Sequence, residues 1–272
     1  PWWNSLVKTW IVVMTSLHKT DAAGWQFWVD RGGTFTDVVA RAPDGTLHTH
    51  KLLSENPESY EDAALQGMRD MLGLAVDDPL PVEMIDAVKM GTTVATNALL
   101  ERKGDKTLLV VTRGFRDQLR IAYQARPRLF DMEITLPEML YSRIEEVSER
   151  IDAHDNILVP LDLDDLEPRL QAAYDDGIRA VAIVLMHGYR VPVHELAVAA
   201  LARQIGFTQI STSHRTSPMI KFVARGDTTV ADAYLSPILR RYIDRLARDI
   251  DQRKGARLQL MQSNGGLTDS SL

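Results

Sequence analysis

The sequence contains no cysteine. That absence excludes thiolate metal sites, cysteine nucleophiles, redox pairs and a disulfide scaffold, and it is compatible with a reducing compartment. There is no run of basic residues either. Asp and Glu number 37 against 31 Lys and Arg, for a net charge of −6, which argues against a nucleic-acid partner held by phosphate contacts. No apolar stretch approaches the roughly 18 to 20 residues that span a bilayer; Trp10-Ile-Val-Val-Met14 is far shorter, so no membrane association is expected. Neither a Gly-x-x-x-x-Gly-Lys phosphate loop nor a Gly-x-Ser-x-Gly elbow occurs, and the enzyme classes built on them lack support. Glycine, at 16 of 272 residues, is too scarce for a collagen-like chain, while 45% hydrophobic residues are too many for a disordered one.

What remains is an ordinary globular composition with ample length for a core. Lys8 and Ala22-Ala23 flank the first apolar stretch as in a signal peptide, but Thr15, Ser16, His18 and Lys19 cut its apolar core short. Residues 1–24 are therefore expected to be a disordered or non-native leader, with Met14 a candidate natural start. Aromatic and β-branched residues at Trp25 to Val29 and Thr34 to Val39, separated by Asp30-Arg-Gly-Gly33, predict two strands joined by a tight turn. A third strand, Thr46 to Leu53, completes an antiparallel meander. Helical spacing of Ala64, Leu65, Met68, Met71 and Leu72 predicts a helix stopped by Gly73. Further on, strands are expected at 88–90, 107–112, 181–186, 207–211 and 258–262. Helices are expected at 94–102, 163–176, 194–205 and 227–254, the last with Pro237 inside it. Alternating strands and helices after the meander predict an α/β domain with a mixed sheet.

The sharpest local pattern is Asp30-Arg-Gly-Gly-Thr-Phe-Thr-Asp37, directly after an apolar strand. Two glycines remove Cβ from the turn, so backbone N–H groups can approach phosphate oxygens, and Thr34 and Thr36 can donate from their hydroxyls. Asp30 and Asp37 make chemical sense beside phosphate if Mg²⁺ lies between, since that ion takes a few carboxylates together with waters and phosphate oxygens. The bland reading is a plain hairpin with solvated aspartates; the full eight-residue pattern favours a metal-nucleotide site. Gly91-Thr-Thr-Val-Ala-Thr-Asn97 repeats the logic as strand, small polar loop and helix, a geometry suited to an anion and equally to a simply capped helix. Ser263-Asn-Gly-Gly266 reads as a glycine loop or an exposed turn. His48 and His50 read as a surface pair, and His187 as a core histidine or a ligand-facing residue after a buried strand. Arg113, Arg116, Arg120, Arg126 and Arg128 read as solvated arginines or an anion clamp.

Seven runs together resemble the N-terminal part of the 5-oxoprolinase and hydantoinase A family. They are Trp28 to Val39, Met90 to Gly104, Thr112 to Asp117, Gln124 to Pro127, Val147 to Arg150, Val184 to His187 and Ala231 to Pro237. The likeness extends from about Trp25 to Leu267. Met90, where the hydantoinase branch usually has His, and the runs Leu129 to Asp131 and Met139 to Tyr141 favour the 5-oxoprolinase branch.

The resemblance implies an actin-like (ribonuclease H-like) ATPase lobe with a family N-terminal domain over 25–213 and the opening of a hydantoinase A domain over 214–272. It implies ATP-driven opening of 5-oxo-L-proline to L-glutamate, with ATP, Mg²⁺ and K⁺ as candidate cofactors. Gly32, Gly33, Thr34 and Thr36 would bind phosphate, and Asp30 would hold Mg²⁺ through water. Asp37 would support the loop or a catalytic water, and Gly91, Thr92 and Thr93 would line the opposite wall. Family members continue beyond the point matched by Leu272, so the resemblance implies a missing C-terminal region or companion subunit. It also implies a homo-oligomer in full-length form, a cytoplasmic location and a place in glutathione metabolism. The 272-residue chain alone is expected to bind ATP weakly or not at all and not to turn over 5-oxoproline. Readings left open are a hydantoinase or ATP-dependent ketone carboxylase subunit, and a non-catalytic assembly module.

Overall fold

A computed structural model of the chain describes residues 24–76, 78–123, 130, 132, 136, 138–250, 256–262 and 264–269. The elements, in chain order, are β1 (Trp25–Arg31), β2 (Phe35–Arg41), β3 (Leu47–Leu53), α1 (Ala63–Leu72), β4 (Ile85–Thr92), α2 (Val94–Leu100), β5 (Thr107–Thr112) and α3 (Gln118–Ile121). They continue with β6 (Arg143–Val147), β7 (Arg150–Ile151), β8 (Ile157–Val159), α4 (Leu163–Asp175), β9 (Ala180–Val184) and α5 (Val193–Ile205). The last are β10 (Gln209–Thr212), α6 (Ser213–Thr216), α7 (Phe222–Ile250), β11 (Arg257–Met261) and β12 (Leu267–Asp269). Two compact units result, one of residues 1–93 with 243–272 and one of residues 94–242. The leader expected over 1–24 lies, apart from Gly24, outside the described residues, as do Arg126, Arg128 and Ser263.

The first unit is built on a six-stranded sheet of order β12-β11-β4-β1-β2-β3. β1, β2 and β3 form the expected antiparallel meander, β4 joins β1 in parallel and β11 joins β4 in parallel, so the sheet is mixed. Side chains alternate across it. Phe27, Val29, Val38, Ala40, Val88 and Met90 are buried on one face, while Trp28, Asp30, Asp37, Val39 and Lys89 occupy the other, less covered face. α1 packs on β2 and β3 through Ala64, Leu65 and Met68. It begins where the Asp62 carboxylate accepts from the N–H groups of Ala64 and Leu65, and ends at left-handed Gly73. β4 runs longer than the 88–90 read from sequence, because parallel pairing with β1 holds its polar C-terminal end in the ladder.

The second unit carries a separate parallel sheet of order β10-β9-β5-β6. The continuous apolar strands pair among themselves, apart from the mixed sheet. β5 and β9 are buried at every position, as a sheet covered on both faces requires. Leu108, Val110, Val181 and Ile183 pack with Leu166, Leu170 and Val198 on one side, and Leu109, Val111, Ala182 and Val184 with Leu119, Val223 and Val230 on the other. Full burial of each leucine, isoleucine or valine among them contributes about 1.5–3 kcal/mol. Among the described residues no helix is long and apolar enough to cross a membrane.

Candidate nucleotide-phosphate site

The β1–β2 hairpin brings Asp30 directly opposite Asp37 in the antiparallel register. The turn between them closes with the Gly32 N–H donating to the Phe35 carbonyl at 3.1 Å. Glycine is needed there: a Cβ on residue 32 would stand 2.9 Å from that carbonyl oxygen. β3 then braces the turn. The Ser54 hydroxyl donates to the Gly32 carbonyl at 2.8 Å and lies 3.0 Å from the Thr36 hydroxyl, and the Ser54 N–H donates to the Thr34 carbonyl. Thr36 is fully buried, so its hydroxyl faces this brace, while Gly33 and Thr34 are exposed at the tip.

Parallel pairing of β1 with β4 sets Gly91 beside Asp30 and Thr92 beside Arg31. A Cβ on residue 91 would lie 3.5 Å from Asp30 Oδ1, in ordinary van der Waals contact with the carboxylate. The Thr93 N–H and hydroxyl both donate to the Arg31 carbonyl, at 3.1 and 3.2 Å, locking the second loop to the first. The two glycine-containing loops read from sequence thus meet at the C-terminal ends of the two central strands of one sheet.

Their two carboxylates are not equivalent. Asp37 accepts two hydrogen bonds from Lys51 Nζ, at 2.8 and 2.9 Å. Asp30 makes no hydrogen bond or ion pair among the described residues. Partial desolvation of its carboxyl, and then the Asp37 charge across the hairpin, push its pKa above the ordinary 3.8, while Lys51 pulls the other way. Asp30 keeps a substantial part of its surface exposed, so the crowding comes from its flanks and its outer side is accessible. Like charges directly opposite destabilise a hairpin, and an acidic pair retained at that expense is the kind of group that a cation or ligand compensates.

The donor set fits Mg²⁺ bound with phosphate. It offers one accessible, unpartnered carboxylate oxygen group, a second carboxylate across the hairpin, and backbone left bare by glycine, and this ion usually takes one or two carboxylates plus waters and phosphate oxygens. No cluster of three or more acidic or histidine side chains suited to a metal exists among the described residues, so protein side chains alone do not form a cation cage. Lys51 and Ser54 escaped the sequence reading because their roles depend on the β2–β3 register.

The other candidates lie elsewhere. His50 bonds Asp70 at 2.8 Å, and His48 stands against Trp25. Arg113 approaches Asp165 at 3.4 Å. In the second unit, Glu149 joins Thr112 to His194, while Glu195 accepts from Leu185 N–H, from Ser213 and from the His214 N–H, and its Oε2 lies 2.6 Å from His214 Nδ1. His187 follows β9 with a left-handed φ of 60°, and its Nδ1 is buried without a hydrogen-bond partner. Sequence spacing gave no sign of this buried network.

Residues 26–206 match the family described as hydantoinase/oxoprolinase N-terminal region, and residues 225–272 match hydantoinase/oxoprolinase. 5-Oxoprolinase 1 of Arabidopsis thaliana is 40% identical over 275 residues, covering 90% of this chain and 22% of that protein. The 5-oxoprolinase of Dictyostelium discoideum is 39% identical over 89% of this chain and 22% of its own. Among solved structures, the ATP-dependent caprolactamase from Pseudomonas jessenii superposes with a TM-score of 0.76 at 29% identity, covering 90% of this chain and 36% of that one. The chain therefore spans 22% of the length of these curated relatives. Its mixed α/β architecture and its sequence agree on one assignment: the chain belongs to the hydantoinase/oxoprolinase family.

Proposed function

We propose that the chain is the phosphate-handling part of an ATP-dependent enzyme that opens a cyclic amide, with 5-oxo-L-proline as substrate and L-glutamate as product. The observation that carries this reading is the accessible, unpartnered Asp30 carboxylate on a glycine hairpin facing Gly91 and Thr92. The 5-oxoprolinase relatives at 39–40% identity support the choice of substrate.

A lactam carbonyl is a poor electrophile, and transfer of the γ-phosphoryl group to its oxygen turns that oxygen into a leaving group once water has added. Such transfer needs chiefly positioning and charge neutralisation. Gly32, Gly33 and Thr34 present the hairpin tip to the phosphates, Thr36 acts through the Ser54 brace, and Gly91, Thr92 and Thr93 form the facing wall. Mg²⁺, when bound, neutralises phosphate charge, and Asp30 would hold it through water. Asp37, tied to Lys51, supports the hairpin or orients water. Turnover calls on the remaining length of the family proteins, as a C-terminal region or companion subunit, in a cytoplasmic and homo-oligomeric enzyme.

The test is MgATP binding followed by ³¹P NMR, which reads weak complexes. The expected result is broadening of the β- and γ-phosphate signals by the wild-type chain and its loss in Asp30→Asn. Equal broadening by both proteins refutes the site. ATP-dependent glutamate release, measured beside hydrolysis of caprolactam and hydantoins in the longer protein, then decides the substrate.

A further inference from the structure

On the same sheet face as the phosphate site, two residues earlier in each strand, Trp28 pairs with Lys89 as Asp30 pairs with Gly91. Two residues of strand span about 6.6 Å. Lys89 Nζ lies 4.8 Å from the centre of the Trp28 ring, and no carboxylate among the described residues forms an ion pair with it. Burial and the neighbouring positive charge of Arg257 both press its ammonium towards the neutral form. A cation–π contact contributes about 0.5–2 kcal/mol and does not replace a counter-ion for a half-buried charge. The Trp28 Nε1 is itself buried without an acceptor, although buried indole N–H groups usually find one. The Lys89 ammonium thus rests on the Trp28 ring with no counter-ion, beside an indole N–H that is buried without an acceptor.

We propose that Lys89 and Trp28 seat the carboxylate end of the substrate, a compact lactam acid whose ring carbonyl then reaches the level of Asp30 and Gly91. The proposal rests on the ATP-dependent lactam-opening reading and names its specificity residue. A carboxylate supplies the counter-ion that Lys89 lacks, the Trp28 ring flanks it, and the strand step between the seat and the phosphate site matches the length of one small lactam acid. A neutral lactam fills the same volume and leaves Lys89 unpaired. Lys89 is a positioning residue: it discriminates substrates and takes no part in phosphoryl transfer.

The experiment measures binding of 5-oxo-L-proline and of 2-pyrrolidinone, the same ring without the carboxylate, to the 272-residue chain by saturation-transfer NMR. Wild type is expected to prefer the acid by about tenfold or more. Lys89→Met should abolish the preference and Lys89→Arg should keep most of it, with circular dichroism unchanged in both. MgATP binding should stay within about twofold in Lys89→Met. An acid preference that is absent in wild type, or that survives Lys89→Met, overturns the proposal. So does a tenfold fall in MgATP affinity in Lys89→Met, which assigns the lysine to phosphate instead. If wild type prefers the acid but binds no MgATP, the ATP-dependent reading fails and the carboxylate seat stands.

Discussion

The two units treat their polar groups in opposite ways. At the C-terminal ends of the parallel strands, Glu195 is fully buried and Arg225 nearly so, yet both are bound on several sides. Glu195 takes the Leu185 N–H and the Ser213 and His214 donors, while Arg225 gives to the Leu185 carbonyl at 2.7 Å and to Ser213 at 2.9 Å. Together they clamp both backbone groups of Leu185. His187 Nδ1 is the exception in that neighbourhood. On the mixed sheet of the other unit the arrangement is reversed: Asp30 and Lys89 are partly covered, the Trp28 Nε1 is buried, and none of the three side chains makes a hydrogen bond or ion pair among the described residues. Buried polar groups are ordinarily hydrogen-bonded, so a satisfied network explains itself as structure, and a row of unsatisfied groups on one face calls for a ligand. Chemistry-bearing residue types alone would have pointed to the parallel-sheet unit, since the histidines and their carboxylates are concentrated there.

The largest effect expected from this contrast is on stability in the parallel unit. Glu195→Ala strands Arg225, Ser213 and the Leu185 N–H in a dry interior, and removing one partner of such a buried charge typically costs about 3–5 kcal/mol. Urea unfolding measures it, and a loss below about 1 kcal/mol would show that the network is not structural. Next in size is the hairpin turn itself. Gly32→Val forces a branched side chain against the Phe35 carbonyl, which already stands 2.9 Å from a Cβ at that position. The expected loss is about 1–3 kcal/mol of stability, with the broadening of the ATP phosphate signals abolished. A valine that leaves both intact would mean that the turn does not approach its ligand through bare backbone.

Much of this was legible in the sequence, for local reasons. The β1–β2 hairpin follows from two apolar runs around Gly32-Gly33, α1 from its apolar spacing with Gly73 behind it, and β5 and β9 from unbroken β-rich runs. Asp30 and Gly91 were each named from their own loop. The division into two sheets was not legible, because strand order is set by pairings between residues far apart in sequence, such as Thr107 with Ala180. β12, three residues long, is too short to show alternation. Lys51 and Lys89 look like ordinary surface lysines until the register puts one beside Asp37 and the other beside Trp28.

Asp30→Asn separates binding from stability in the mixed-sheet unit. MgATP affinity should fall by about tenfold or more, equivalent to about 1.4 kcal/mol, while the fold should not suffer. The Asp30 pKa is raised in the folded chain, so its contribution to stability is complete below the ordinary 3.8 and is lost as pH rises through the raised value. At neutral pH the ionised side chain is a burden that asparagine relieves. The thermal midpoint of Asp30→Asn should therefore equal or exceed that of wild type at pH 7, the difference closing as the pH drops below 3.8. MgATP binding by wild type should weaken on acidification at a pH above the ordinary aspartate value of 3.8. A variant that is markedly less stable at pH 7 would make Asp30 a structural residue, and the contrast between the units would dissolve.

The smallest effect is expected at Lys51, and it is the most discriminating. Its pair with Asp37 is about half exposed on both sides, and such pairs contribute about 0–1 kcal/mol, so Lys51→Met should unfold close to wild type. Its charge nevertheless acts on Asp30 by pulling that pKa down against desolvation and the Asp37 charge. Removing the ammonium leaves two facing carboxylates with less compensation, so Asp30 should hold its proton to a higher pH. The pH at which MgATP binding is half lost should move upward in Lys51→Met while the unfolding curve at pH 7 barely moves. If the curve shifts and the binding profile does not, Lys51 is a structural strut, and Asp30 feels its field too weakly for the hairpin carboxylates to act as one electrostatic unit.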